Sequence, residues 1–189
     1  PPLWAHDGVA EGECMTYSVG FRRPASGELA GELLSRLADM AADLLPDEPY
    51  ADPAQDAVAA PGAIPEALRA FARDAVQQAV AETTALDRVL GEWLSEPKAN
   101  VWFERADATV EEQPGAALEL DRRTRMLYDA HAVYINGEGL QADGRDGRLL
   151  HELADTRRLS ASARRQLSGA MRAVLQQWIQ AGWLHERVE

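Results

Sequence analysis

The sequence predicts an α+β chain in three parts: a short N-terminal strand, an acidic helical module, and a small mixed module that ends in helices. Three observations predict it. Apolar residues recur at helical spacing from about position 29 to about position 94, then switch to strand-like alternation after about 115. Asn136-Gly137 lies between two alternating runs, a hairpin signal in which both turn residues accept positive φ. Pro24, Pro46, Pro65 and Pro97 fall at the joints between these stretches, where a residue without an N–H does least damage.

Each element follows in order. Residues 13–22, ECMTYSVGFR, alternate as a strand, with Met15, Tyr17, Val19 and Phe21 on one parity and Thr16, Ser18 and Gly20 on the other. Pro24 ends it. Ser26 reads as an N-cap for a helix through Leu29, Leu33, Leu34, Leu37, Met40 and Leu44, which Pro46 stops. Residues 46–64 are a proline-rich loop. Pro65 suits the first turn of a second helix with Leu68, Phe71, Ala72, Ala75, Val76 and Ala79 turned inward. A third helix covers about Thr84 to Ser95, with Leu86, Val89, Leu90, Trp93 and Leu94 inward. Residues 98–115 connect it to three short strands, AALEL, TRMLYD and HAVYING, and to a return strand from Gly139. Residues 146–156 are helical. Ser160 caps one long helix to about Gln180, with Leu167, Met171, Val174, Leu175, Trp178 and Ile179 inward, and Gly182 suits its C-terminus. Two helices joined by a short turn beside a β-hairpin form a winged-helix-like arrangement.

The 189 residues are 46% hydrophobic, enough for a buried core. No apolar run approaches the ~18 residues of a membrane span. One cysteine, Cys14, excludes a disulfide framework and fits a reducing, cytoplasmic setting. As a strand residue its thiol is expected to be buried. The net charge of −12 is unevenly spread: 8 basic and 21 acidic side chains in 1–112, 3 and 5 in 113–144, 8 and 5 in 145–189. An acidic body repels nucleic acid and attracts basic partners. Only the C-terminal segment, with Arg157, Arg158, Arg164, Arg165 and Arg172, could approach an anion, and an excess of +3 is small for a nucleic-acid reader, so direct nucleic-acid binding is not expected.

No phosphate-binding, dinucleotide-binding, HExxH or CxxC motif is present. Cys14 has no evident His or Asn partner. His131, His151 and His185 lie within elements that suit structural roles. His6 stands apart, in the turn-rich Pro1-Pro2-Leu3-Trp4-Ala5-His6-Asp7-Gly8 before the first strand. A non-haem iron centre draws two imidazoles and a carboxylate from different strands, and a single His at a strand entry suits the third ligand. Leu29, Leu33, Leu37, Met40 and Leu44, with Trp93, form either an intrachain core or the face of a homodimer.

The segment PPLWAHDGVAEGECMTYSVGFRRP resembles the stretch of bacterial JmjC-type ribosomal oxygenases that carries the distal iron-binding histidine. The match rests on His6, Gly8, Tyr17-Ser18-Val19-Gly20-Phe21-Arg22 and Pro24. Looser likeness continues through Tyr50-Ala51-Asp52-Pro53, Val133-Tyr134-Ile135-Asn136-Gly137-Glu138 and Gly182-Trp183. The resemblance implies an Fe(II)- and 2-oxoglutarate-dependent hydroxylase of a large-subunit ribosomal protein, with arginine as the target. It implies a cupin (double-stranded β-helix) barrel whose C-terminal end is residues 1–24, a helical dimerisation domain at 25–112 and a winged-helix-like domain at 113–189. His6 is then an iron ligand, and Thr16 and Ser18 line the 2-oxoglutarate pocket. The family's His-x-Asp pair occurs nowhere in this sequence. The chain is therefore expected to begin inside the barrel and to be inactive by itself.

Overall fold

The structure, a computed structural model, describes residues 9, 11–15, 24–56, 60–105 and 115–187. The helical part holds α1 (Ser26–Leu44), α2 (Glu66–Ala81) and α3 (Thr83–Ser95). Strands β1 (Ala117–Leu120), β2 (Met126–Tyr128), β3 (Ala132–Ile135) and β4 (Glu138–Gln141) follow, then α4 (Gly144–Thr156), β5 (Arg158–Leu159), α5 (Ala161–Arg164), α6 (Gly169–Gln180) and β6 (Leu184–Arg187). The strands make two antiparallel three-stranded sheets, ordered β5-β1-β6 and β2-β3-β4.

The hairpin forms at the expected turn. Asn136 (φ 49°) and Gly137 (φ 93°) both take positive φ, and the register that results sets Ile135 against Glu138 and Tyr134 against Gly139. Strand β3 is buried on both faces. Val133 and Ile135 enter the larger core with Leu118, Leu150, Leu153, Leu159, Leu175 and Leu184, all essentially inaccessible. Tyr134 points the other way, onto α3. There Gly91 leaves the room: a methyl group at that position would overlap the tyrosine ring. The C-terminal end of α3 is tied to the hairpin as well. The buried Ser95 hydroxyl accepts from the Gly137 amide at 3.1 Å, and the Arg125 guanidinium donates to the Glu96 carbonyl at 3.0 Å.

On its other side α3 meets α1. Leu33 and Leu37 pack on Ala85 and Val89, so the leucine face of α1 is intrachain core. The Arg36 guanidinium forks onto Glu96 at 2.7 and 3.0 Å and also reaches Glu32 at 2.8 Å. The inward face expected for α2 is not buried. None of its residues is enclosed, and Leu68, Phe71 and Val76 remain exposed, with the Phe71 ring 5.5 Å from that of Tyr50. Leu94 is exposed too. An apolar stripe marks which face of a helix can be covered, and not whether the same chain covers it.

Two caps differ from the sequence reading. Ala25 is the N-cap of α1 and Ser26 its first helical residue, with no side-chain cap. The long C-terminal helix is two. Ser160 caps α5 by accepting from the Ala163 amide, the chain turns at 165–168, and Ser168 caps α6 by accepting from Met171. The Asp146 carboxylate on α4 holds this break open, accepting from both the amide and the hydroxyl of Ser168. Apolar periodicity runs straight through a turn whose own Leu167 is buried, so the pattern hides the interruption.

Helix α6 ends in a Schellman motif: the Gly182 amide bonds to the Ile179 carbonyl and the Trp183 amide to that of Trp178, with Gly182 at φ 77°. The segment after α3 then lies across this end. The Glu104 carbonyl sits where a Gly182 side chain would be, and Phe103 meets Trp183 edge-on at 6.3 Å. Gly91→Ala is expected to lower stability by about 1–3 kcal/mol through overpacking. Leu175→Ala is expected to cost about 2–5 kcal/mol by opening a cavity. Urea unfolding midpoints of the two variants check both.

Candidate functional site

His6, Thr16 and Ser18 lie outside the described residues. So does most of the first predicted strand; residues 13–15 are described and are not strand. Cys14 is an exposed free thiol and not a buried one. Among the described residues no group of three His, Cys, Asp or Glu side chains could hold a metal ion, so no step of metal chemistry can be built from them. None of the described helices is long and apolar enough to cross a membrane.

The arginines of the C-terminal part are mostly engaged by the fold. Arg164 is 3% exposed; it pairs with Glu186 at 2.7 Å and donates to the Ala116 carbonyl. It therefore ties α5 to the β1–β6 sheet. Arg157, itself in the left-handed region (φ 61°), donates to the carbonyls of Asp121 and Thr124. Arg172 donates to the Leu167 carbonyl across the α5–α6 turn. Helix α6, which occupies the second-helix position of the motif, carries no basic residue besides Arg172. A helix that reads DNA needs side chains aimed at phosphates and base edges; the one basic side chain of α6 is turned to the Leu167 carbonyl.

The remaining histidines sort by environment. His185 Nε2 meets the Asp121 carboxylate at 3.0 Å. The same carboxylate accepts three bonds from Arg123, at its amide, Nε and an Nη. Those bonds, Arg123 foremost, hold the Asp121 carboxyl well below the usual carboxylate range against the opposing effect of burial. Arg123 also lies over the Phe103 ring at 5.7 Å. His151 stacks on Tyr128 at 3.9 Å, and the Tyr128 hydroxyl donates to Asp155. His131 belongs to the turn before β3. There the Asp129 carboxylate accepts from the amides of His131 and Ala132 and, at 2.6 Å, from the Tyr134 hydroxyl. Burial and the Asp129 charge push the Tyr134 hydroxyl far above its ordinary value, so it stays a donor.

This β2–β3 turn, the hairpin after it and the face of α3 form a partly enclosed concave surface. Sequence reading missed it. The sequence assigns His131 a structural role and does not single out Asp129, three positions before a strand, with an aromatic hydroxyl two residues into that strand.

With the fold and these contacts in view, comparison with known proteins is specific. The family model described as ROXA-like winged helix matches residues 74–185, more than half of the chain. The chain belongs to this family. Its span begins inside α2 and takes in α3, the helix seated on the hairpin. No curated protein matches the chain. Among solved structures, Escherichia coli YcfD aligns at TM-score 0.69 with 20% identity, over 89% of this chain and 46% of that one. A second structure, described as the Escherichia coli ribosomal oxygenase YcfD, aligns at TM-score 0.66 and 21% identity, over 89% and 48%. The YcfD complex with cobalt and 2-oxoglutarate aligns at 0.65 and 20%, over 90% and 48%. At these identities the likeness shows the fold, and the chain spans about half the length of the structures it matches.

Asp121 makes a direct prediction. Its carboxyl is held low in the folded state, so its stabilising share is complete above the unfolded value of ~3.9 and is lost as pH falls below it. Asp121→Asn is expected to destabilise the chain by about 1–3 kcal/mol near neutral pH. The gap between variant and parent should narrow from about pH 4 downward in a series of denaturant titrations.

Proposed function

We propose that this chain is the C-terminal part of an Fe(II)- and 2-oxoglutarate-dependent oxygenase that hydroxylates an arginine of a large-subunit ribosomal protein. The observation that carries the reading is the ROXA-like winged-helix match over residues 74–185. The fold shared with a ribosomal oxygenase, whose structures include complexes with cobalt and succinic acid or 2-oxoglutarate, supports it. His6 is the iron ligand in this proposal, and Thr16 and Ser18 face the 2-oxoglutarate. A basic ribosomal substrate suits an acidic protein of net charge −12, because opposite charge speeds encounter. The cell compartment of such a substrate is the cytoplasm.

In the same proposal the helical part makes a homodimer. Leu68, Phe71 and Val76 of α2 and Leu34 of α1 are exposed apolar side chains that the other described residues leave uncovered. Helices of a second copy would cover them. The alternative, a winged-helix module that binds nucleic acid, draws little support from the engaged arginines of the C-terminal part.

The test is conversion of 2-oxoglutarate to succinate with Fe(II) and a basic ribosomal-protein peptide. This chain alone is expected to give no turnover. A longer chain that restores the upstream barrel residues is expected to turn over, and His6→Ala in it to abolish the reaction. Unchanged turnover in the His6→Ala form overturns the metal assignment. Sedimentation checks the dimer: Phe71→Glu is expected to shift the chain to a monomer, and a parent chain that is already monomeric at micromolar concentration refutes it.

A further inference from the structure

Between the first half of α3 and the β3–β4 hairpin lies a partly enclosed cavity of about 110 Å³. That is several-fold below the roughly 300–1,000 Å³ of pockets for cofactors and small molecules, and near the size of one side chain. Its walls differ in character. Leu140 and Ala132 give an apolar side, with Tyr134 at the base. Asp87 on α3 and Asp129 in the β2–β3 turn give two carboxylates.

Besides the two carboxylates the lining holds one guanidinium, Arg88, and one imidazole, His131. Arg88 is paired with Glu92 at 2.8 Å. Asp129 is held in place by its three protein hydrogen bonds, two on Oδ1 and one on Oδ2, which leave an acceptor site on Oδ2. Asp87 is exposed and has no ion-pair partner among the described residues. The cavity is also reachable by a polypeptide. Strand β4 is the edge of its sheet, so a chain can lie beside Leu140 and Gln141 without displacing a neighbouring strand.

We propose that this cavity receives the cationic side chain, arginine or lysine, of a basic polypeptide partner. Its methylene stem lies on Leu140 and Ala132, and its charged head meets Asp87 and Asp129. An amphipathic stem with a charged tip is the one common side-chain type that satisfies both kinds of wall at this size. The proposal does not depend on the chain having an oxygenase parent.

The test is a titration of the isotope-labelled full chain, followed by amide chemical shifts. The probes are capped pentapeptides with arginine or lysine at the centre of glycine flanks, and the citrulline peptide is the neutral control. The arginine or the lysine peptide is expected to give saturable shifts centred on residues 84–88, 129–134 and 139–141, while citrulline gives none. Asp87→Asn, an exposed change that leaves the fold intact by circular dichroism, is expected to weaken the binding about five-fold. Three results each overturn the proposal: no saturable binding by either cationic peptide, shifts spread over the acidic surface without a focus there, or equal affinity in the Asp87→Asn chain.

Discussion

Tyr134 reaches α3 only because Gly91 has no side chain, and most of the remaining architecture follows from that clearance. The ring fills the groove between helix and sheet, and its hydroxyl fixes the Asp129 turn that starts the strand. Gly139, opposite Tyr134 in the register, leaves room on the sheet side, where a side chain would crowd the Glu92 carboxylate. With α3 seated, Ser95 and Glu96 fall beside the hairpin turn, and the Arg36 fork from α1 finds Glu96 already in place. One close approach therefore orders both halves of the described chain. A β-sheet covered on one face only would have left Tyr134 in water.

Electrostatics in the C-terminal part serves the fold before it serves any ligand. The Arg164–Glu186 pair is nearly dry, and its strength comes with a desolvation cost that only good geometry and further hydrogen bonds offset. Arg164 has such a bond, to Ala116. Pairs of this kind resist salt, whereas the partly exposed Arg36–Glu96 fork is screened over a Debye length of about 8 Å at physiological ionic strength. Arg157 and Arg164, two of the arginines counted along the sequence, are thus committed to internal contacts.

How legible this was from sequence varies by element. The Asn136-Gly137 turn, the Pro46 stop and the Gly182 end depend on local chemistry, and all stand where a residue-by-residue reading places them. The core residues of α6 were equally plain, because 3.6-residue spacing is a strong signal over a dozen positions. What failed depended on partners distant in sequence. The α5–α6 break needs Asp146, which lies 22 positions away from Ser168. The bare face of α2 looks identical to a buried one until the neighbours are known. The candidate cavity was hidden for the same reason: Asp87 and Asp129 come together only when α3 docks on the hairpin. His6, Thr16 and Ser18 rest on family resemblance alone.

The two hydrophobic cores are unequal, and that inequality sets an order of events. The larger cluster, around Leu118, Leu150 and Leu175, is dry and cross-braced by both sheets. The smaller has four buried residues, Leu33 and Leu37 of α1 with Ala85 and Val89 of α3, and partly buried side chains around them. Regions with few buried contacts open at free energies well below global unfolding. Helix α1 can therefore detach and exchange its amide protons while α3 stays on the hairpin. Such an opening makes α1 and α2 the natural point of entry for proteases and for strand or helix exchange between copies. It leaves the winged-helix part, with α3 as its first helix, as the unit that survives.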